Sequence, residues 1–377
     1  MKQRTHYIQD ACEKAVVALI QRQLEEKNRE ITKSSESKYS EFLKYIADRS
    51  LSFDDIAHDE YYLVSHLHIP SFVENFLLKN PGVNFDVIDT EVLGRIENKK
   101  TDFAFLGSDS SRVDYSLKNY KGGIRRPQVC SGTFNSFICN FLFTQAGVGM
   151  YEYHKAGETV RFKGSSIPKR DLAINEIGYE ECIPLLHQLD EVQQSMRSRV
   201  LDNPEMKIFD EVRWKSLCQE VGNLGADLTL EIFRKIDKQL ITNRILKSTG
   251  IVGDEELFAI TKSEYLDSHT NANFKKLRDD LTHPKINLDI VRSGQSINFY
   301  YSLNGVERLK VSVPFTINSN GAWYRDIEPY SGTRQIRDKG NLVNLRYGEL
   351  RPFKSREIAT SINTYLELSN TGIFDEV

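Results

Sequence analysis

The chain has 377 residues, 40% hydrophobic and 27% charged, with a formal net charge of −3; this is globular composition, long enough for two or three domains and too apolar for a disordered chain. No run of about 18 apolar residues occurs, which excludes a membrane-spanning helix, and the N-terminal stretch MKQRTHYIQDACEK has no apolar segment, so no secretory signal is expected. The 5 cysteines are scattered without a Cys-x-x-Cys pair, which argues against a zinc ribbon or a disulfide framework and for a reducing, cytoplasmic setting.

Ala11, Ala15, Val16, Leu19, Ile20 and Leu24 recur at helical spacing and predict a helix over 9–32. The polar stretch 32–37 reads as a loop. A second helix is predicted over 38–48 and a third over 71–79, stopped by Asn80-Pro81-Gly82. The pattern then changes to strand. Residues 84–92 alternate, 100–106 (KTDFAFL) are aromatic-rich and lead into a Gly-Ser-Asp-Ser-Ser turn, and 113–120 (VDYSLKNY) end at Lys121-Gly122-Gly123. A helix is predicted from Ser131, with Phe134, Phe137, Ile138, Phe141 and Leu142 on one face. Residues 171–249 read as mostly helical, including one long segment, Leu228–Lys247. Strands return over 286–325, where 297–303 and 309–317 flank the hairpin signal Asn304-Gly305. The tail, 355–368, reads as a helix. The expected organisation is an N-terminal helical region (1–70), an α/β core (71–170), a helical region (171–285) and a β-rich C-terminal region (286–377).

Charge is segregated along this frame. Residues 118–170 carry a net charge of +7 and residues 334–356 a net charge of +5, so the remainder is acidic. Basic segments of this kind suit a phosphate backbone, although solvated basic loops would look the same.

The residues that suggest chemistry lie on two neighbouring strands. Hydrolysis of a phosphodiester needs an activated water and relief of the charge developing on oxygen; a cation held by carboxylates, with a lysine beside it, supplies both. Magnesium takes oxygen ligands and only one or two protein carboxylates. Asp102 opens the first strand. On the second, the period of two places Asp114, Ser116 and Lys118 on one face and Val113, Tyr115 and Leu117 on the other. A short turn makes the strands antiparallel neighbours, so Asp102 and Lys118 are expected side by side.

Here the sequence resembles the PD-(D/E)xK nuclease superfamily, in particular type II restriction endonucleases in which SxK stands for the (D/E)xK tripeptide. Asp102 matches the metal-binding aspartate and Ser116-Leu117-Lys118 the tripeptide, while Thr101 replaces the proline. The resemblance covers about 75 residues and implies an α/β (α+β) restriction-endonuclease-like core of mixed sheet flanked by helices, with N-terminal helical and C-terminal mixed additions. It further implies Mg2+, double-stranded DNA cut at a short specific sequence to leave a 5′-phosphate, a homodimer, and a cognate DNA methyltransferase linked genetically rather than as a stable complex. Lys118 would orient the attacking water, and Gln128, opening the following helix, would lie near the scissile phosphate. The second acid of the motif is a serine here, and no Asp or Glu occurs between Lys118 and Glu152. The missing ligand is therefore sought in the preceding helix, at Glu74 first and Glu60 second, with Asp114 as a third choice.

Lys121, Arg125 and Arg126, directly after the second strand, are expected to neutralise DNA phosphates, and Arg334 and Arg346 are candidates in a C-terminal recognition element. His66 and His68 stand at strand spacing but have no third ligand nearby, so ordinary histidines are expected there. No phosphate-binding glycine loop and no Gly-x-Ser-x-Gly elbow occur. Two other classes remain open from sequence: a catalytically inactive, sequence-specific DNA-binding protein on a nuclease scaffold, and a helical interaction protein.

Overall fold

The computed structural model describes residues 2–27, 35–57, 59–89, 101–119, 124–132, 134, 150–155, 158–163, 179–201, 211–253, 255–320, 323–324, 333–338, 341–346, 351–352 and 357–375. Its helices are α1 (Lys2–Glu26), α2 (Ser35–Asp48), α3 (Phe53–Ala57), α4 (Glu60–Lys79), α5 (Tyr179–Leu201), α6 (Glu211–Arg234), α7 (Lys238–Ser248) and α8 (Ala272–Leu281). A first five-stranded sheet contains β1 (Phe85–Asp89), β2 (Phe103–Gly107), β3 (Arg112–Asn119), β7 (Glu255–Ile260) and β8 (Tyr265–Asp267), in that order across the sheet. A second contains β4 (Gln128–Gly132), β16 (Glu357–Glu367), β11 (Val306–Asn320), β10 (Ser296–Leu303) and β9 (Asn287–Ser293), also in that order. Short two-stranded ladders join β5 (Met150–Lys155) to β6 (Glu158–Lys163), β13 (Thr333–Asp338) to β14 (Asn341–Arg346), and β12 (Trp323–Tyr324) to β15 (Arg351–Pro352). The chain is thus mixed α/β, with helices against sheets, and no helix among the described residues is long and apolar enough to cross a membrane.

The first sheet follows from alternation. β1, β2 and β3 form an antiparallel meander in which Phe103 pairs with Tyr115 and Phe85 with Gly107. Their inward residues, Phe85, Val87, Phe103, Phe105, Tyr115 and Leu117, are buried with Phe258 and Ile260 of β7 against Phe72 and Phe76 of α4. Phe72 stacks on Phe258 and Phe76 on Phe105, each with ring centroids 3.9 Å apart. This aromatic layer explains why α4 continues through Pro70 back to Glu60, where sequence placed a helix start at 71: Val64 and Ile69 are buried, and that burial outweighs the hydrogen bond a mid-helix proline forfeits. Helix α1 adds Val16, Val17, Ile20 and Leu24 to the same core. Its small residues Ala11, Cys12 and Ala15 let Phe42, Tyr45 and Ile46 of α2 approach on another side.

β7 lies parallel to β3, pairing Ser116 with Leu257 and Lys118 with Ala259, so residues 120–254 form the connection between two adjacent strands. The region 171–285, read as helical, therefore gives two strands to the first sheet. Its strand signal was obscured because Glu255 and Glu256 head the short run Leu257-Phe258-Ala259-Ile260.

The second sheet is antiparallel throughout. Ile297, Phe299, Tyr301, Leu309, Val311, Val313, Phe315, Ile362 and Leu366 share one buried cluster with Leu217, Val221, Leu230 and Phe233 of α6. The Asn304-Gly305 hairpin forms as read, with φ of 52° and 79° at its two turn residues. Two elements differ from the sequence reading. The tail forms strand β16, in which Thr360, Ile362, Thr364 and Leu366 are buried at a period of two; pairing with β4 and β11 decides a pattern that local propensity reads either way. The segment read as one helix over 228–247 breaks at 235–237, where Asp237 caps α7 by accepting from the Leu240 N–H at 2.9 Å.

Candidate active site

The polar cluster lies at the end of the first sheet where β1 finishes, β2 starts and β3 runs out. The antiparallel register that pairs Phe103 with Tyr115 puts Asp102 opposite Ser116. The Asp102 N–H donates to the Tyr115 carbonyl at 2.7 Å, which fixes the backbone. The Asp102 carboxylate folds over β3: its Oδ2 accepts the Leu117 N–H at 2.6 Å and the Ser116 hydroxyl at 3.3 Å, and lies 3.5 Å from Lys118 Nζ. These contacts all use Oδ2. Lys118 Nζ also donates to the Leu117 carbonyl at 3.2 Å. Both ends of the pair reach water, with side-chain exposures of 21% for Asp102 and 30% for Lys118. The structure therefore brings together Asp102, Ser116 and Lys118.

A second carboxylate arrives from an element that sequence reasoning left outside the core. Glu13 of α1 is half-buried. Burial, and then the like charge of Asp102 with smaller contributions from Asp10 and Asp89, raises its carboxyl from 4.5 to about 8, while Lys118 pulls it down. Around it, Lys14 of α1 donates to Asp89 at the end of β1 at 2.7 Å, and the Tyr45 hydroxyl of α2 donates to Asp10 at 2.8 Å. Glu13 thus feels the charges of Asp102, Asp10, Lys118 and Asp89 together. Among the described residues no group of three or more His, Cys, Asp or Glu side chains is gathered to hold a metal ion by itself. Asp102 and Glu13 are the carboxylates that could hold a cation at this sheet end.

The other acids chosen from sequence lie elsewhere. Glu74 is on the outer face of α4, 57% exposed, and 3.5 Å from Lys27 Nζ. Its helix buries Phe72, Val73 and Phe76 on the sheet, and that turns position 74 to solvent. Asp114 shares the face of Ser116 and Lys118 but is buried and accepts from Arg112 Nε at 2.9 Å, one turn of the pleat from Asp102. Glu60 falls within α4, but its side chain lies outside the described residues.

Gln128 does not open a helix. It starts β4 in the second sheet, paired in register with Tyr365, and its amide donates to the Asn363 side chain at 3.2 Å. The ladder with β16 claims residues 128–132, and 135–149, which carry most of the expected helix, lie outside the described residues. Lys121 also lies outside them. Arg126 is exposed, but its guanidinium donates to Glu367 at 2.7 Å and covers the Tyr365 ring at 4.4 Å; Arg125 covers the Phe374 ring at 4.5 Å. Both arginines fasten the β3–β4 connection to the second sheet and its tail. Arg334 and Arg346 belong to the β13–β14 ladder, where Arg334 pairs with Leu345 and Arg346 with Thr333, and their side chains are not among those described. His68 Nε2 lies 2.7 Å from the Thr261 carbonyl and His66 Nδ1 3.1 Å from the Tyr62 carbonyl, ordinary backbone partners.

Glu13 had a faint signal. Asp10, Glu13 and Lys14 are charged positions among Ala11, Cys12, Ala15 and Val16, all of which are buried, so the charges stand inside a buried stretch of helix. No protein-family model, curated protein or solved structure matches the chain.

Proposed function

We propose that this protein is a divalent-cation-dependent nuclease that hydrolyses phosphodiester bonds of double-stranded DNA. The observation that carries the reading is the contact of Asp102, just before β2, with Ser116, Leu117 and Lys118 of β3 at one water-accessible sheet end, where the Glu13 carboxylate of α1 feels the charge of both Asp102 and Lys118. The succession of α4 and three antiparallel strands is also the one expected from the resemblance to PD-(D/E)xK restriction endonucleases, although a strand replaces the helix expected next.

In this reading the Asp102 and Glu13 carboxylates would hold Mg2+. When bound, the cation supplies an acidified water and charge relief at the phosphate oxygens. Ser116 and the Leu117 N–H hold the Asp102 carboxylate in one orientation, which would spare a cation the cost of ordering it. Lys118 keeps its ammonium beside the same carboxylate, where it orients the attacking water and offsets the negative charge that grows on the phosphorus-bound oxygens. Glu13 would contribute its ionised carboxylate to the cation, its proton passing to solvent. The missing acid of the SxK motif is thereby supplied from the N-terminal helix. Specific-sequence recognition, action as a homodimer and a 5′-phosphate product belong to the same proposal.

The test is incubation of the full chain with supercoiled plasmid and phage DNA, with Mg2+ or with EDTA. Cleavage that needs Mg2+ is expected, as discrete bands if recognition is specific. Asp102→Asn, Lys118→Met and Glu13→Gln should each lower it by about 100-fold or more while retaining DNA binding. A wild type that binds DNA and leaves it intact overturns the hydrolytic reading, and unimpaired cutting by Asp102→Asn or Lys118→Met overturns the site.

A further inference from the structure

Helix α1 meets the first sheet along its outer edge, and two side chains fix it there. Among the described residues β1 is an edge strand, so the N–H groups that point away from β2 have no neighbouring strand there. The Val87 N–H is one of these. It donates to Gln21 Oε1 at 3.0 Å, and Gln21 is fully buried. Two residues further along the same edge, Asp89 accepts from Lys14 Nζ at 2.7 Å.

Positions 14 and 21 are seven residues apart on α1, so they lie on one face about 10 Å apart. Positions 87 and 89 share one orientation on β1. Two such contacts set both the axial position and the rotation of the helix. A slip of one residue would shift α1 by about 1.5 Å, turn it by about 100°, and break both. The apolar contacts of Val16, Val17, Ile20 and Leu24 give adhesion with little register, because hydrophobic surfaces repack at modest cost. A buried N–H left without its acceptor does not. Glu13 is adjacent to Lys14, and Asp89 pairs with Phe103, the residue after Asp102. The register of α1 on β1 is therefore also the register of Glu13 on Asp102.

We propose that Gln21 is a positioning residue of the site: by capping the β1 edge it sets the register that presents Glu13 to Asp102. This rests on the reading of those two carboxylates as a cation-binding pair. Gln21 touches no reacting atom and acts through Glu13.

The experiment is calorimetric titration of Mn2+ into the full chain without DNA. The proteins compared are wild type, Gln21→Met, Glu13→Gln, the double variant, and Val17→Ala as a packing control on the same helix. Gln21→Met keeps the side-chain volume and removes the acceptor. It is expected to weaken Mn2+ by about 10- to 100-fold and to add nothing to Glu13→Gln, because both losses pass through one carboxylate. Val17→Ala costs stability but should leave affinity within about twofold. Unchanged affinity in Gln21→Met, additive losses in the double variant, or an equal loss in Val17→Ala would overturn the assignment. Should Gln21→Met fail to fold, Gln21→Asn, one methylene too short to reach Val87, is measured against the same controls. A wild type that takes up no Mn2+ sinks the cation reading itself; Mn2+ binding that ignores Gln21 sinks only the positioning role.

Discussion

Replacing Glu13 by Gln is expected to stabilise the metal-free protein at alkaline pH, against the usual direction for a substitution in a packed helix. Burial and the like charges of Asp102, Asp10 and Asp89 raise the Glu13 carboxyl from 4.5 to about 8. Below about pH 4.5 it is protonated in both folded and unfolded chains and has no effect. As pH rises from about 4.5 to about 8 the unfolded chain ionises while the folded one resists, so stability falls across that window and the loss is complete above it. The interval corresponds to about 5 kcal/mol. Water reaching a half-buried carboxylate screens part of this, which leaves about 2–5 kcal/mol as the expected penalty. Gln keeps the shape and cannot ionise. Urea unfolding in EDTA should therefore show the two proteins within about 1 kcal/mol at pH 5, and Glu13→Gln ahead by about 2–5 kcal/mol at pH 9. Adding Mn2+ at pH 9 should shrink that lead, because only the wild type regains a partner for the charge. A difference that does not change with pH, or a wild type that is the more stable at pH 9, would refute the picture of Glu13 in an anionic pocket.

Two further outcomes concern the scaffold. Arg278 of α8 donates to Glu256 Oε2 and to the Ile251 carbonyl, each at 2.7 Å; Arg278→Met takes the charged partner from a half-buried carboxylate that keeps Ser268 and His269, and should cost about 1–3 kcal/mol in urea unfolding at pH 7. Although burial pushes the Glu256 carboxyl up, bonds from His269, Arg278 and Ser268 hold it down at about 2, so its contribution is present above about pH 4.5 and fades as pH falls towards 2. An acid titration followed by circular dichroism should accordingly give Arg278→Met a higher unfolding midpoint than wild type; coincident midpoints would show that the pair adds nothing. In α6, a Cβ at Gly225 would fall 2.2 Å from the Phe134 ring, which packs on Phe315 at 5.0 Å, so Gly225→Ala should destabilise by about 1–3 kcal/mol while leaving Mn2+ affinity unchanged.

Local pattern carried the β1–β2–β3 meander, because aromatic alternation and turn clusters fall within 35 residues of chain, and it carried Asp102, Ser116 and Lys118 with it. The same local logic failed where tertiary pairing decides. Gln128 and the tail went to strands because β4 and β16 satisfy each other's backbone groups, a contact spanning some 235 residues that leaves no mark on either segment alone. Glu74 was a reasonable choice from proximity in sequence, yet the face α4 buries is set by Phe72 and Phe76, and position 74 falls outside it. Glu13 was only faintly legible for a related reason. Its helix could be read from spacing, but the edge of the sheet on which that helix docks depends on Gln21 reaching Val87, and no periodicity encodes such a meeting.

The parallel pairing of β3 with β7 has a consequence for how the protein is made. β3 acquires one neighbour, β2, as soon as residue 119 has left the ribosome, but its other neighbour begins only at residue 255. At ordinary synthesis rates that gap lasts roughly 7–30 s, during which the strand bearing Ser116 and Lys118 is an uncovered border able to pair with the wrong partner. Closing so long a loop is also entropically slow. The nascent chain thus holds Asp102, Ser116 and Lys118 well before the sheet can clamp them, and completion of the first sheet waits on translation of its second half.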